Sequence, residues 1–299
     1  MLGWLVAKSL PLVPRRVVGA VARRYIAGET RDDAMATVRA LNARGFAATV
    51  DVLGEEVTTA EGARAATDEY VALLDALNAA QVHAGVSLKL SQLGARFDLA
   101  LCRELLQRVV DAASDRFVRL DMEDATLTET TLTVYRELRG QSTRVGAVLQ
   151  AYLRRTADDV EALLAEATGT DVRICKGIYK EKRSIAFHDA AEINASYLRL
   201  ALRLLEGGAR VAFATHDRAL IDGLREHVVA RGVPRDRYEF QALLGVPIEG
   251  VLDGLVAEGH RVRVYVPYGA DWFAYSTRRL RENPDMAGHV LKALVRRLD

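Results

Sequence analysis

A closed α/β barrel of eight parallel strands, a TIM-like (β/α)8 barrel, is the fold this sequence predicts. Short β-branched runs alternate with helical patterns eight times in succession, and such alternation means parallel strands joined by helical crossovers. The chain has 299 residues, half of them hydrophobic, which suits a unit that typically fills about 250 residues. No strand run is followed by the G-x-G-x-x-G or G-x-x-x-x-G-K-[ST] pattern that would favour the alternative, an open doubly wound sheet.

The strand runs are Ala47–Leu53, Gly85–Leu90, Phe117–Met122, Val145–Gln150, Val172–Cys175, Val211–Thr215, Tyr238–Gln241 and Val262–Val266. Amphipathic stretches such as Ala60–Ala80, Leu99–Ser114, Ala157–Ala167 and Ala190–Glu206 lie between them. The first of these opens on Thr58-Thr59-Ala60-Glu61, an N-cap signal. Residues 1–45 read as an extension of two or three helices, and residues 46–299 as the barrel with its C-terminal helices.

Composition removes several function classes. Lys and Arg total 41 against 40 Asp and Glu, a net charge of +1, which argues against a nucleic-acid binder. Cys102 and Cys175 form no metal or disulfide pattern and read as small buried hydrophobes in a reducing compartment. No stretch reaches the roughly 18 apolar residues of a membrane span, and the N-terminus lacks a signal-peptide pattern. A cytoplasmic protein is expected.

Barrel enzymes place their chemistry at the carboxyl ends of the strands. Here those ends read Asp51-Val-Leu-Gly-Glu55, Lys89-Leu-Ser-Gln92, Asp121-Met122-Glu-Asp124, Gln150-Ala-Tyr152, Arg173 with Lys176-Gly177-Ile178-Tyr179, Thr215-His216-Asp217, Gln241, and Tyr265 with Tyr268. Core strands have no structural need for ionisable groups, and a lone buried charge is costly. So many polar ends predict a polar pocket with an excess of cations, with Asp121 and Glu55 as counter-charges. Beyond the last strand, Tyr275, Arg278, Arg279 and Glu282 recur at i, i+3, i+4 and i+7, on one helix face. Two adjacent guanidinium forks suit a small carboxylate; the competing reading is a solvated helix with an internal Arg–Glu pair.

The sequence holds no HExxH motif, Cys/His cluster or 2-His-1-carboxylate spacing, so a protein-bound metal is not expected. G-x-S-x-G is absent, and His216 has no evident nucleophile beside it. The residues alone leave two classes: a Schiff-base enzyme using Lys89 or Lys176, or a cofactor enzyme whose prosthetic group carries the electron chemistry.

The motifs Val264-Tyr-Val-Pro-Tyr-Gly269, Tyr275-x-x-Arg-Arg-x-x-Glu282-Asn-Pro284, Lys176-Gly-Ile-Tyr179-x-Glu181, Thr215-His216 and Glu239-Phe-Gln241 resemble those of the proline dehydrogenase family, nearest its short monofunctional bacterial type. The resemblance runs from about residue 46 to 284. It implies non-covalent FAD and oxidation of L-proline to Δ1-pyrroline-5-carboxylate by hydride transfer from C5 to flavin N5, with electrons passed to a membrane quinone. The bifunctional type, which carries a further domain, is not expected.

Carried over position by position, the resemblance makes Arg278, Arg279 and Lys89 similar to the residues that bind the proline carboxylate. Tyr265, Tyr275 and Leu243 resemble those around the pyrrolidine ring. Arg173 looks like the arginine that hydrogen-bonds the flavin near N5, and Asp121 like the active-site aspartate that pairs with Lys89. Gln150, Lys176, Gly177, Ile178, Thr215 and His216 resemble flavin contacts, with Met122 adjoining. Glu55 resembles a gate carboxylate that pairs with Arg278, and Glu282 is read as holding the two arginine forks in register. Two positions depart from the pattern: Ile178 stands where the family commonly has Ala, and Asp217 where it has Asn.

The N-terminal 28 residues contain Lys8, Arg15, Arg16, Arg23 and Arg24 but no acidic residue, beside Leu2, Trp4, Leu5, Val6, Leu10, Leu12 and Val13. Basic charge next to apolar side chains suits a peripheral contact with anionic lipid. Packing on the barrel is the simpler reading.

Overall fold

The computed structural model describes residues 24–54, 57–166, 169–273, 275 and 276. Eight parallel strands close into a barrel in sequence order: β1 (Ala47–Val52), β2 (Ala84–Leu88), β3 (Val118–Leu120), β4 (Val145–Gln150), β5 (Asp171–Cys175), β6 (Arg210–Ala214), β7 (Tyr238–Leu243) and β8 (Val262–Tyr268). Closure runs through β1 and β8, with Ala48 opposite Val264 and Val52 opposite Tyr268. The predicted class and each of the eight strand positions stand.

Helices follow the strands: α2 (Ala60–Ala80), α3 (Leu99–Ala112), α4 (Thr128–Arg139), α5 (Thr156–Glu166), α6 (Ala190–Glu206), α7 (Arg218–Ala230) and α8 (Glu249–Ala257), after α1 (Arg31–Ala43), which precedes β1. Their starts are written locally. Thr59 accepts from Gly62 N at the head of α2, and Asp98, Asp189 and Asp217 cap α3, α6 and α7. Each satisfies a backbone donor that the first turn leaves open. Helix α3 stops two residues short of its predicted end, where Ser114 turns to φ +52°. Apolar faces carrying Leu73, Leu74, Leu77, Leu105, Leu106 and Val109 lie fully buried in one continuous core.

Helix α1 has a full capping box between Thr30 and Asp33. It packs against β1 and β8, the outer position that a helix following β8 takes in a regular barrel. The chain after β8 turns instead toward the strands' carboxyl ends. There Tyr275 is buried with Ile26 and Leu53, and Trp272 packs on them. Of the predicted N-terminal extension, residues 1–23 lie outside the described residues.

Candidate active site

Side chains alternate across a strand, so the inward set is every second residue. On β2, β3, β5, β7 and β8 that set includes Ser87, Arg119 with Asp121, Asp171 with Arg173, Glu239 with Gln241, and Arg263 with Tyr265. All except Arg263 and Tyr265 are nearly inaccessible to solvent, and those two are only partly exposed. The barrel is therefore filled by two layers of polar groups rather than by apolar side chains alone.

The upper layer is built around Asp121 and Arg173. Arg173 NH1 donates to Asp121 Oδ1 at 2.7 Å and to Ser87 Oγ at 3.4 Å, and its Nε donates to Gln241 Oε1 at 2.6 Å. Asp121 also accepts from Ser87 Oγ at 2.5 Å and from the Tyr265 hydroxyl at 2.8 Å. Burial and the nearby carboxylates push the Tyr265 phenol well above its ordinary range, which keeps it a neutral donor. The Arg173 guanidinium lies over the Tyr265 ring, 5.4 Å from its centroid. Its NH2 nitrogen is buried and has no hydrogen-bond partner.

Lys89, just past β2, binds Asp51 Oδ1 at 3.2 Å and Oδ2 at 3.3 Å. This corrects the expected pairing, since the partner of Asp121 is Arg173. The reason is position around the barrel: β1 and β2 are neighbours, and Asp51 stands opposite Ser87 in their register. Burial disfavours the Lys89 ammonium, but the charges of Asp51 and Asp121 outweigh it and hold the group charged above its usual range. Burial raises Asp51; Lys89 opposes the rise and Asp121 adds to it. One ammonium thus serves two carboxylates, which suit it better than they suit each other. The Tyr70 hydroxyl, bonded to Ser87 O at 3.0 Å, lies 3.3 Å from Asp51 Oδ1.

The rim at β4, β5 and β6 gathers the other candidates. Lys176 pairs with Asp217 at 2.7 Å, and Asn194 Nδ2 donates to the same oxygen at 2.8 Å. The Lys176 hydrogen bond outweighs burial and lowers the Asp217 carboxyl. Asp217 also caps α7 through Ala219 N and Leu220 N. Either Asp or Asn makes such a cap; the carboxylate adds the ion pair. Thr215 Oγ1 accepts from Asp217 N at 3.1 Å, and His216 Nε2 accepts from Leu243 N at 3.0 Å. Gln150 is buried and donates to Glu123 O at 2.8 Å. Met122 is buried as well, whereas Ile178 is 46% exposed.

Gly177 has φ +105°, and a Cβ there would stand 2.1 Å from Tyr152 Cδ1. Both conditions require glycine. The Tyr152 ring fills the space where any other side chain at this position would begin.

The lower layer was missed. Arg119 NH2 binds Asp171 Oδ1 at 2.7 Å, Arg210 bridges Asp171 (2.7 Å) to Glu239 (3.1 Å), and Arg263 Nε binds Glu239 Oε1 at 2.8 Å. Burial would raise Glu239, but the charges of Arg263 and Arg210 overcome it and hold the carboxyl far below its usual range. The legible signal was polarity repeating every second residue in β3, β5 and β7. Of the predicted site, Glu55, Arg278, Arg279 and Glu282 lie outside the described residues. The rest falls at the carboxyl ends of the strands, with Tyr275 buried beside β1 and β8.

Such a site offers a buried guanidinium with a donor to spare, an ammonium, and a mouth rimmed by polar strand ends. Known proteins resemble this chain in sequence and fold. The family model for proline dehydrogenase matches residues 34–292. Proline dehydrogenase of Deinococcus radiodurans is 35% identical over 94% of this chain and 92% of its own length. Proline dehydrogenase 1 of Bacillus subtilis is 36% identical over 92% of this chain and 91% of its own. The crystal structure of proline utilization A from Bdellovibrio bacteriovorus superposes with a TM-score of 0.82 at 27% identity, covering 89% of this chain but 33% of that one. The chain thus spans about a third of that larger protein and nearly the whole of the monofunctional relatives. It belongs to the proline dehydrogenase family and is an oxidoreductase of the first step of proline catabolism.

Proposed function

We propose that the chain oxidises L-proline to Δ1-pyrroline-5-carboxylate with FAD held non-covalently at the carboxyl end of the barrel, and passes the electrons to a membrane quinone. The observation that carries this reading is the buried, unpartnered NH2 of Arg173. A buried donor left open costs about 1–3 kcal/mol, so a site that tolerates one is built for an acceptor that arrives later. The residues present fit a flavin edge: Arg173 offers the donor, Gly177 a backbone that carries no side chain, and Lys176, Gln150, Met122, Ile178, Thr215 and His216 the surrounding rim.

The chemistry a bound FAD supplies is two-electron acceptance, at N5, of the hydride leaving proline C5. The protein's part is orientation and charge. Arg173 would counter the negative charge that grows on a bound cofactor, and Asp121 holds Arg173 in place. Lys89, with Arg278 and Arg279, binds the proline carboxylate, and Tyr265, Tyr275 and Leu243 enclose the ring. The burial of Tyr275 at the end of β1 supports this, because it brings the segment that leads to Arg278 to the mouth. Carboxylate capture fixes the ring, and such positioning can supply several kcal/mol of the barrier. Glu55 is assigned as the gate carboxylate facing Arg278, and Glu282 as the support of the two forks.

Among the described residues no helix is long and apolar enough to cross a membrane. A peripheral contact with the cytoplasmic face, through the basic and apolar residues 1–28, gives the quinone access. The test is the absorbance spectrum of the purified protein, followed by anaerobic L-proline. A yellow protein that absorbs near about 450 nm and is bleached by proline, as expected of a flavin cofactor, supports the reading. A colourless protein that cannot be reconstituted with FAD ends it.

A further inference from the structure

Beneath Arg173 runs a buried polar chain to which the proposed reaction assigns no part. Glu239, on β7, is 3% exposed and sits between two arginines. Each arginine is anchored elsewhere as well: Arg263 NH1 to Ala48 O at 2.8 Å, and Arg210 NH1 to Asp171 Oδ2 at 2.7 Å. The carboxylate is therefore held from both sides. Gln241, two residues on and on the same inward face, donates from Nε2 to Glu239 Oε1.

A primary amide has one donor end and one acceptor end. Once its NH2 is bound to Glu239, the oxygen of Gln241 must face the other way. That oxygen accepts from Arg173 Nε at 2.6 Å. Asp121 and Ser87 hold NH1 of the same guanidinium. Two nitrogens fixed from two sides define the plane of a rigid fork, and so define where the third nitrogen points.

We propose that Glu239 and Gln241 are positioning residues that aim the open nitrogen of Arg173 at the cofactor; this rests on the flavin reading given above. The residue types suit the task. A carboxylate at position 241 would repel Glu239, and an apolar side chain would leave Arg173 Nε unsatisfied and free to turn about its Asp121 contact. Without the charge of Glu239, the amide of Gln241 loses the partner that orients it, and its NH2 can turn toward Arg173. The rival account is that Glu239 only neutralises Arg210 and Arg263.

A double-mutant cycle on the full-length protein separates the two. Glu239→Gln, Gln241→Met and the double variant are compared for FAD affinity by titration of the apoprotein, for the rate of flavin reduction by L-proline, and for thermal stability. Gln241→Met should weaken FAD binding and slow reduction, by roughly 10- to 100-fold for a misplaced group. Glu239→Gln should do the same in the Gln241 protein. In the Gln241→Met background it should change neither by more than about twofold, while its stability loss appears in both backgrounds. Unchanged FAD affinity and reduction in Glu239→Gln, or equal losses in both backgrounds, would overturn the proposal. Should Glu239→Gln not fold, Glu239→Asp, which keeps the charge but withdraws it, takes its place in the cycle. A wild-type protein that neither binds FAD nor is bleached by proline overturns the flavin reading and this proposal together. A wild type that passes with a cycle that fails overturns this proposal alone.

Discussion

The two ends of the barrel interior use the same residue types to opposite purposes. In the floor, Arg119, Asp171, Arg210, Glu239 and Arg263 form one chain of ion pairs in which each charge meets an opposite charge, and none of their polar atoms is among the buried groups without a partner. One layer up, Asp121 and Arg173 also pair at 2.7 Å, yet Arg173 keeps an open nitrogen. Lys89 is still 20% exposed at its side chain while Asp51 beneath it is sealed. A closed network rigidifies; a network left open by one donor is ready for a ligand. Buried charge alone therefore does not mark a functional site. A buried charge left incompletely satisfied, as at Arg173, is the better guide.

The largest expected effect tests the floor. Asp171→Ala strips two arginines of their shared partner, one of them, Arg119, deeply buried. Breaking a buried pair costs about 3–5 kcal/mol, to be read as a lower midpoint in urea unfolding. A loss under about 1 kcal/mol, as for surface pairs, would break the comparison, because the floor would then not act as a structural unit.

Next comes the upper layer. Arg173→Ala should slow anaerobic flavin reduction by about 10²–10³, the usual cost of losing one preorganised donor. Asp121 retains Ser87 and Tyr265 as partners in that variant, so stability should fall less than in Asp171→Ala. Normal flavin reduction would refute the proposed contact of Arg173 with the cofactor.

The smallest effect sharpens the contrast through its sign. Glu239 titrates below its ordinary 4.5 in the folded protein. Its contribution is complete above that value and is lost as the pH falls toward its folded pKa. The stability gap between the wild type and Glu239→Gln should therefore narrow in acid. Asp51 is raised above 3.8, so its ionised form is the costly one, and its contribution is lost as the pH rises through its folded pKa. Relative to the wild type, Asp51→Asn should gain stability from acid toward neutral pH. Urea unfolding across that range checks both slopes, and slopes of equal sign would dissolve the distinction between the layers.

Much of this was legible in the chain. Alternating strand and helix patterns fix the barrel, because parallel neighbours need crossovers and eight of them close a ring. The polar strand ends located the mouth, since β-branched core runs do not end in Lys89, Asp121 or Gln150 without cause. The floor was not read, although Asp171 and Arg173, or Glu239 and Gln241, stand two apart and must share a face. Polarity at every second position does not by itself tell a barrel interior from a solvated sheet face, because both alternate with apolar neighbours.

By itself, then, the sequence determined the eight-fold alternation, the inward periodicity, the residue types at the mouth and the family motifs, all of which depend on spacing along one element. Only the tertiary structure decided who pairs with whom. Lys89 takes Asp51 rather than Asp121, Arg173 takes Asp121 and Gln241, and one Arg173 nitrogen is left open. Those partners are separated by 38, 52 and 68 residues. Their distances follow from barrel closure and strand register, which no local pattern encodes.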